Sequence, residues 1–220
     1  MAGRQLANKW LKTEALLGNA EVAVHVPQTR KYNAEALKGV LHQFGMAVIK
    51  PVCGGGGYGV IKVTYAGGNY GFTYMSRSRS FGSFDAMFQA LNRTKVGRKY
   101  IIQQGIHLAS IGGRPIDYRV KVAKHNGKWV YRSMLGRLAR PGLFVTNLCR
   151  GGSQLSAGEG LRRSLSKVSI RKKRGEMRTL TNKCIAIMES AFPGVGELGF
   201  DYGIDTSGKI WIFEVNTRPQ

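Results

Sequence analysis

Acidic residues are scarce in this chain: 12 Asp and Glu stand against 34 Lys and Arg in 220 residues, a formal net charge of +22. A solvated surface needs no such excess, so a polyanionic substrate, or an acidic or polyanionic partner on a basic surface, is implied. Cysteine is also sparse. Cys53, Cys149 and Cys184 are odd in number and lack CxxC spacing. That argues against a disulfide framework and a zinc site, and predicts a reducing, cytoplasmic compartment. The histidines are scattered, and no apolar run approaches the roughly 20 residues that span a bilayer. Met1 to Leu17 mixes charged and apolar residues, unlike a signal peptide.

What is present suffices for a core, since 43% of the residues are hydrophobic. The spacing predicts a helix over residues 6–17, a short strand over 22–26, and a helix capped by Asn33 and running to Phe44. Strands are expected at 46–49, 60–65 and 70–74, and Ser83 caps a helix through Leu91. Further strands are expected at 100–103, 116–123 and 129–138, the last two joined by the turn His125-Asn126-Gly127-Lys128. A polar, glycine-rich, basic stretch covers 151–174 and precedes a helix with Met177, Leu180, Cys184, Ile187 and Ala191 on one face. A hairpin of 199–204 and 209–216 ends the pattern. The densest positive run is Arg162, Arg163, Lys167, Arg171, Lys172, Lys173, Arg174 and Arg178; a solvated loop and helix start accounts for it as readily as a docking surface. The class is α+β, with two lobes: residues 1–99 with the glycines and 100–220 with the final hairpin.

Two constellations carry chemistry. Lys50-Pro51 precedes Gly54–Gly57 and Gly59. Glycines let backbone amides approach phosphate oxygens, and the lysine adds a point charge. Gly54, Gly56 and Gly59 satisfy GxGxxG, but a strand pattern follows where a dinucleotide fold needs a helix, and Val60 stands where a Walker lysine belongs. No kinase HRD or DFG occurs. Near the tail, Glu214 and Asn216 share a strand face. A hairpin turning at Thr206-Ser207 sets Asp201 opposite Ile212, diagonal to Glu214, with Phe200, Tyr202, Ile204, Trp211 and Phe213 on the core face. Two carboxylates and an amide oxygen suit a hard divalent cation sharing its shell with phosphates. Asp205 has the same parity but belongs to the turn.

The order of these motifs resembles the ATP-grasp superfamily. Leu198-Gly199-Phe200-Asp201 through Phe213-Glu214-Val215-Asn216-Thr217-Arg218-Pro219 is similar to the metal-binding end of D-alanine–D-alanine ligases. Thr146-Asn147-Leu148-Cys149-Arg150-Gly151-Gly152, Asp117-Tyr118-Arg119 and Tyr100-Ile101-Ile102-Gln103-Gln104-Gly105-Ile106 resemble segments of ribosomal-protein glutamate ligases. The combination most resembles YheC/YheD-type proteins, described as associated with the endospore coat. The resemblance implies an ATP-grasp fold with the nucleotide between two α+β lobes. It implies Mg²⁺ (or Mn²⁺) on Asp201, Glu214 and Asn216, and phosphates on Lys50 and Lys9, with Lys12 the alternative to Lys9. Gly55, Gly56, Gly57 and Tyr58 would cover the phosphates, and Gln103, Gln104, Gly105 and Ile106 would read the adenine. Asp117 belongs to the Asp-x-Arg strand of that nucleotide site, Arg119 and Arg150 would stabilise phosphate charge, and Asn147 would support the metal–phosphate cluster. Gln104 stands where the hinge acid is usual and Cys149 replaces a histidine. Met1 lies at the start of the core, so a substrate-completing N-terminal domain is expected to be missing. The implied activity is ATP-dependent activation of a carboxylate for an amine, in a cytoplasmic, spore-associated setting. A non-catalytic ATP-binding module docked on an acidic spore or cell component is a second reading. A nucleic-acid-binding protein is a third, resting on charge alone.

Overall fold

The computed structural model describes residues 4–165 and 169–219, so Lys167 of the basic run lies outside the described residues. The chain forms α1 (Lys9–Leu17), α2 (Ala20–Ala23), β1 (Thr29–Lys31), α3 (Ala34–Phe44), β2 (Met46–Pro51), β3 (Ile61–Ala66), β4 (Asn69–Tyr74), β5 (Arg77–Phe81) and α4 (Phe84–Thr94). It continues through β6 (Tyr100–Gln104), β7 (Ser110–Ile111), β8 (Arg114–His125), β9 (Lys128–Leu138), β10 (Ser153–Ser156), α5 (Ala157–Ser164), α6 (Ile170–Ala191), β11 (Glu197–Ile204) and β12 (Ile210–Asn216). Two antiparallel sheets result, ordered β1-β6-β2-β3-β4-β5 and β10-β9-β8-β11-β12, with β7 pairing on β8.

Local chemistry starts most helices. Asn33 and Ser83 accept from backbone amides three residues on and cap α3 and α4. α3 and α4 bury Leu37, Val40, Leu41, Met87 and Leu91 against Ile49, Ile61, Val63 and Ile102. In the other core α6 lays Met177, Leu180, Cys184 and Met188 against Phe200, Tyr202, Tyr118 and Val120. One hydroxyl pair bridges that core, Thr181 Oγ1 to the Tyr202 hydroxyl at 2.8 Å. Burial raises the Tyr202 phenol well above its ordinary value, so it stays neutral.

Several expectations are corrected. The strand expected at 22–26 is the helix α2 and a following turn. Asn19 Oδ1 accepts from the amides of Glu21 and Val22, at 3.1 and 3.2 Å, and so begins a helical turn. Val22 and Val26, four residues apart, both enter the second core, while Val24 is 59% exposed; a strand would have put all three on one face. α1 starts at Lys9, behind an Asn8 cap. The stretch 151–174 holds β10 and α5. β5, with exposed Arg77 and Arg79, extends the first sheet without an apolar alternation that would announce it. The partition of side chains also differs from a cut at residues 99 and 100: Leu16, Val22 and Val26 pack in the second core, and Tyr100 and Ile102 in the first.

The last hairpin departs most from the expected register. Ile204 pairs with Ile210 and Tyr202 with Ile212, one residue away from the expected pairing, so Ile210 and Ile212 face the core. Between Asp201 and Tyr202 the register shifts again, because Phe213 is an extra residue in β12. Trp211 and Phe213 therefore share the face of Gly203 and Asp201, and Val215 fills the core place assigned to Phe213. A Cβ on Gly203 would meet the Phe213 ring and lie 2.7 Å from Leu108 Cδ2. Gly203→Ala is expected to lower the unfolding free energy in urea by about 1–3 kcal/mol through overpacking. An unchanged midpoint would mean that the bulged ring moves aside freely.

Candidate functional site

The outer face of the second sheet carries a row of charge across four strands. Arg119 on β8, Asp201 on β11 and Glu214 on β12 are direct neighbours in the register. Without the Phe213 bulge Glu214 would oppose Phe200 and face the apolar core. A second bulge does the same for β9. Arg132 is the extra residue opposite the Lys121/Val122 step, and it brings Arg137 opposite Asp117 rather than opposite Ile116. Sequence reasoning missed Arg137; the hairpin turn at Asn126-Gly127 announces the pairing to within one residue, and the bulge supplies that residue.

These groups are buried and pair accordingly. Arg119 forks onto Asp201, its Nη2 donating to Oδ2 at 3.0 Å, and Arg137 Nη2 lies 3.1 Å from Asp201 Oδ1. Arg137 also forks onto Asp117, at 2.8 and 2.5 Å, and Thr146 Oγ1 donates to Asp117 Oδ2 at 2.6 Å. Burial disfavours the Asp201 carboxylate, but the Arg137 and Arg119 guanidiniums outweigh it and hold the group below its usual range. Such pairs cost desolvation, and removal of one partner strands the other charge.

Three lysines face the same row from the opposite side. Lys9 Nζ is 3.2 Å from Glu214 Oε1 and also donates to the Gly54 carbonyl. Lys50 Nζ donates at 2.8 Å to Gln103 Oε1 and at 2.8 Å to the carbonyl of Phe213, the residue that the bulge frees from the ladder. Lys12 is 3% exposed, and among the described residues its ammonium has no hydrogen-bond or ion-pair partner. Burial pushes Lys50 and Lys12 down to about 8; Glu214 pulls each upward and Lys9 pushes each further down.

The glycines lie on a β2–β3 hairpin, so strand, loop and strand follow one another as expected. Gly54, Gly56, Gly57 and Gly59 all have φ between +63° and +127°. The loop reaches the other lobe: Arg150 Nε donates to the Gly56 carbonyl at 3.0 Å, and a Cβ on Gly57 would lie 2.5 Å from Asn147 Oδ1. At the connection between sheets, Gln104 and Gln28 exchange bonds: the Gln104 amide donates to the Gln28 carbonyl at 2.8 Å, and the Gln28 amide to Gln104 Oε1 at 3.3 Å. The Gly105 amide donates to the Met46 carbonyl, and Gln28 Oε1 is buried with no partner among the described residues. Asp205 accepts from the amides of Ser207 and Lys209 and from Trp211 Nε1, and so belongs to the turn. Of the expected residues, Lys9, Lys50, Arg119, Asp201 and Glu214 converge directly. Asp117 joins through Arg137. Asn147 and Arg150 reach the glycine loop, and Asn216 shares the acidic face two residue pairs further along, opposite Gly199.

Two sheets, a glycine hairpin and a carboxylate row are the architecture of the ATP-grasp fold. N5-carboxyaminoimidazole synthase from Aspergillus clavatus, solved with ADP and 5-aminoimidazole ribonucleotide, superposes at TM-score 0.60 and 16% identity, over 100% of this chain and 46% of that one. The Staphylococcus aureus synthetase, complexed with ADP, superposes at 0.60 and 12% identity, over 98% and 46%. More narrowly, the chain belongs to the YheC/D-like ATP-grasp family, whose model matches residues 1–220. It is 27% identical to the endospore coat-associated protein YheD of Bacillus subtilis strain 168, over 96% of this chain and 48% of that protein. With YheC of the same strain it shares 23% over 99% of this chain and 61% of the relative. The chain thus spans about half to three-fifths of the curated relatives it matches. Among the described residues no helix is long and apolar enough to cross a membrane.

The lysines give a pH dependence whose sign follows from their depressed values. Below pH about 8 the folded state carries the full penalty of two buried ammoniums. As pH rises from about 8 to the ordinary 10.5 the folded state releases these protons before the unfolded state does, so stability rises across that window. Lys12→Met is expected to raise the unfolding free energy at pH 7 by up to ~3 kcal/mol and to flatten the rise above pH 8. Urea titrations at pH 7 to 10 check both effects.

Proposed function

We propose that the chain is the nucleotide-binding part of an ATP-dependent ligase that activates a carboxylate for attack by an amine. The observation that carries this reading is the convergence of Lys9, Lys12 and Lys50 on one carboxylate row beside a glycine loop. The ammonium of Lys12, which has no hydrogen-bond or ion-pair partner among the described residues, is paired when a phosphate oxygen enters. Lys9 and Lys50 sit in the same cluster and turn toward the phosphates from Gly54, Glu214 and Phe213. The backbone from Gly55 to Tyr58 closes over them, held by Asn147 and Arg150 across the cleft. The adenine lies at the connection formed by Gln103, Gln104, Gly105 and Ile106, where the lone Gln28 Oε1 offers an acceptor to an amino group.

A divalent cation fits the donor set. Asp201 accepts three guanidinium contacts out of roughly four lone-pair sites, leaving one on Oδ2, while Glu214 carries only Lys9 and Asn216 adds an amide oxygen. Magnesium, or manganese in its place, would be held by Asp201, Glu214 and Asn216 and would neutralise charge on the phosphate oxygens. The chain's own work is positioning and charge balance. Arg119 stays anchored to Asp201 and Arg150 to Gly56, so their guanidiniums meet the transferring phosphoryl group with little reorganisation. The substrate carboxylate attacks the γ-phosphorus, ADP leaves, and an amine then displaces phosphate from the acyl phosphate. In this reading the nucleotide lies between residues 1–99 and 100–220, with α1 packed in the second core so that Lys9 and Lys12 enter beside β12.

A second reading, a binding module on an acidic spore or cell component, is favoured by one observation. Arg171, Arg174 and Arg178 line a groove of about 530 Å³ on α6 and pair with no carboxylate among the described residues. The names of the two relatives support a spore-associated setting for either reading.

Isothermal titration with ATP, with and without Mg²⁺, followed by a screen for acceptor-dependent ADP release, separates the two. Magnesium-dependent binding and release support the ligase. Binding without release under any acid and amine supports the module. Glu214→Ala is expected to abolish magnesium-dependent turnover, and full turnover by that variant would remove the metal assignment.

A further inference from the structure

A cavity of about 450 Å³ lies between the β4–β5 turn and the loop that follows β9. Met75, Ser76, Arg140, Leu143, Cys149 and Arg150 line it, and no acidic residue does. Its volume suits a small molecule or a short peptide end. We infer that this cavity holds the carboxylate-bearing substrate, and that the substrate carries a second carboxylate. The inference rests on the ligase reading for the fate of the first carboxylate, and on this cavity alone for the second.

Charge is the first argument. Two guanidiniums face one cavity, and neither Arg140 nor Arg150 joins an ion pair among the described residues. Two uncompensated forks in a concave site match two planar anions. Position is the second. Arg150 uses Nε on the Gly56 carbonyl, at 3.0 Å, and lies over the Tyr58 ring, while its terminal nitrogens have no hydrogen-bond or ion-pair partner among the described residues. It is thus the wall shared by the cavity and the glycine loop, and an anion on those nitrogens lies at the edge of the proposed phosphate site. Arg140 holds the outer end. Gly151, at φ +83°, makes room for it, since a Cβ there would lie 3.0 Å from Arg140 Cδ. The lining is the third. Met75, whose φ of 56° is what the two-residue turn between Tyr74 and Arg77 requires, and Leu143 add apolar surface to the wall, suited to a short methylene spacer.

The step balances without further reactants. An oxygen of the carboxylate at Arg150 forms a bond to the γ-phosphorus, the bond to the β-bridging oxygen breaks, and ADP leaves with that electron pair. The carboxylate at Arg140 is a handle and does not react.

The test is direct binding, by calorimetry, of glutarate and of pentanoate, with and without a non-hydrolysable ATP analogue. The wild-type chain is expected to bind glutarate at least tenfold more tightly than pentanoate, the scale of one charge-assisted pair. Arg140→Ala is expected to erase that preference and to leave affinity for the analogue unchanged. Arg140→Lys restores part of it. Equal binding of the two acids, or a preference untouched by Arg140→Ala, overturns the inference while the ligase reading stands. Glutarate binding with no nucleotide binding upholds the cavity and overturns the ligase reading.

Discussion

Side-chain alternation along a strand is the constraint on which this site depends. A residue added to one strand of a hairpin turns every side chain beyond it to the other face. Here that happens twice, at Arg132 in β9 and at Phe213 in β12. Before each bulge the strand presents its apolar residues to the core. Beyond it, Arg137 and Glu214 appear on the outer face, beside Asp117 and Asp201. Two insertions convert an ordinary half-buried sheet into a row of five charges, Arg137, Asp117, Arg119, Asp201 and Glu214, and the core beneath retains its packing because Val215 takes the place that Phe213 leaves.

The electrostatics follow from that placement. Asp117 and Asp201 are buried, and each is held by arginine forks, so Arg119 and Arg137 balance their two charges. Opposite them stand three lysines with only Glu214 as a nearby unshared acid. The imbalance is local as well as global: the chain keeps the Lys12 and Lys50 ammoniums largely buried, at a free-energy cost, beside one another and near Glu214. The Phe213 carbonyl, released from its ladder by the bulge, receives Lys50, so the backbone irregularity and the charge cluster belong to one arrangement.

The glycine loop belongs to the first sheet, yet at Gly56 and Gly57 its nearest side chains come from the loop after β9. Asn147 occupies the volume that a Cβ on Gly57 would need, and Arg150 holds the Gly56 carbonyl. Glycine is required there for φ and for close approach together. Arg150 thereby joins the glycine loop to the wall of the arginine-lined cavity.

Much of this was legible in the amino-acid order. Asn33 and Ser83 announced their helices, Asn126-Gly127 its hairpin, and the strand–glycine–strand pattern excluded the dinucleotide fold, because caps and tight turns are made by neighbours in sequence. The acids near the tail stood out by the rarity of acid in the chain, and the parity of Glu214 and Asn216 holds, although the register expected for Asp201 does not. Tertiary structure alone decided the rest. Asn19 and the second core made a helix of a valine-rich segment. Two bulges chose which residues face the site, and Arg137 and Lys12 acquired meaning only from charges far away in sequence. A bulge depends on how two sheet faces pack, and a buried charge on what is folded over it, and neither is written in any local run of residues.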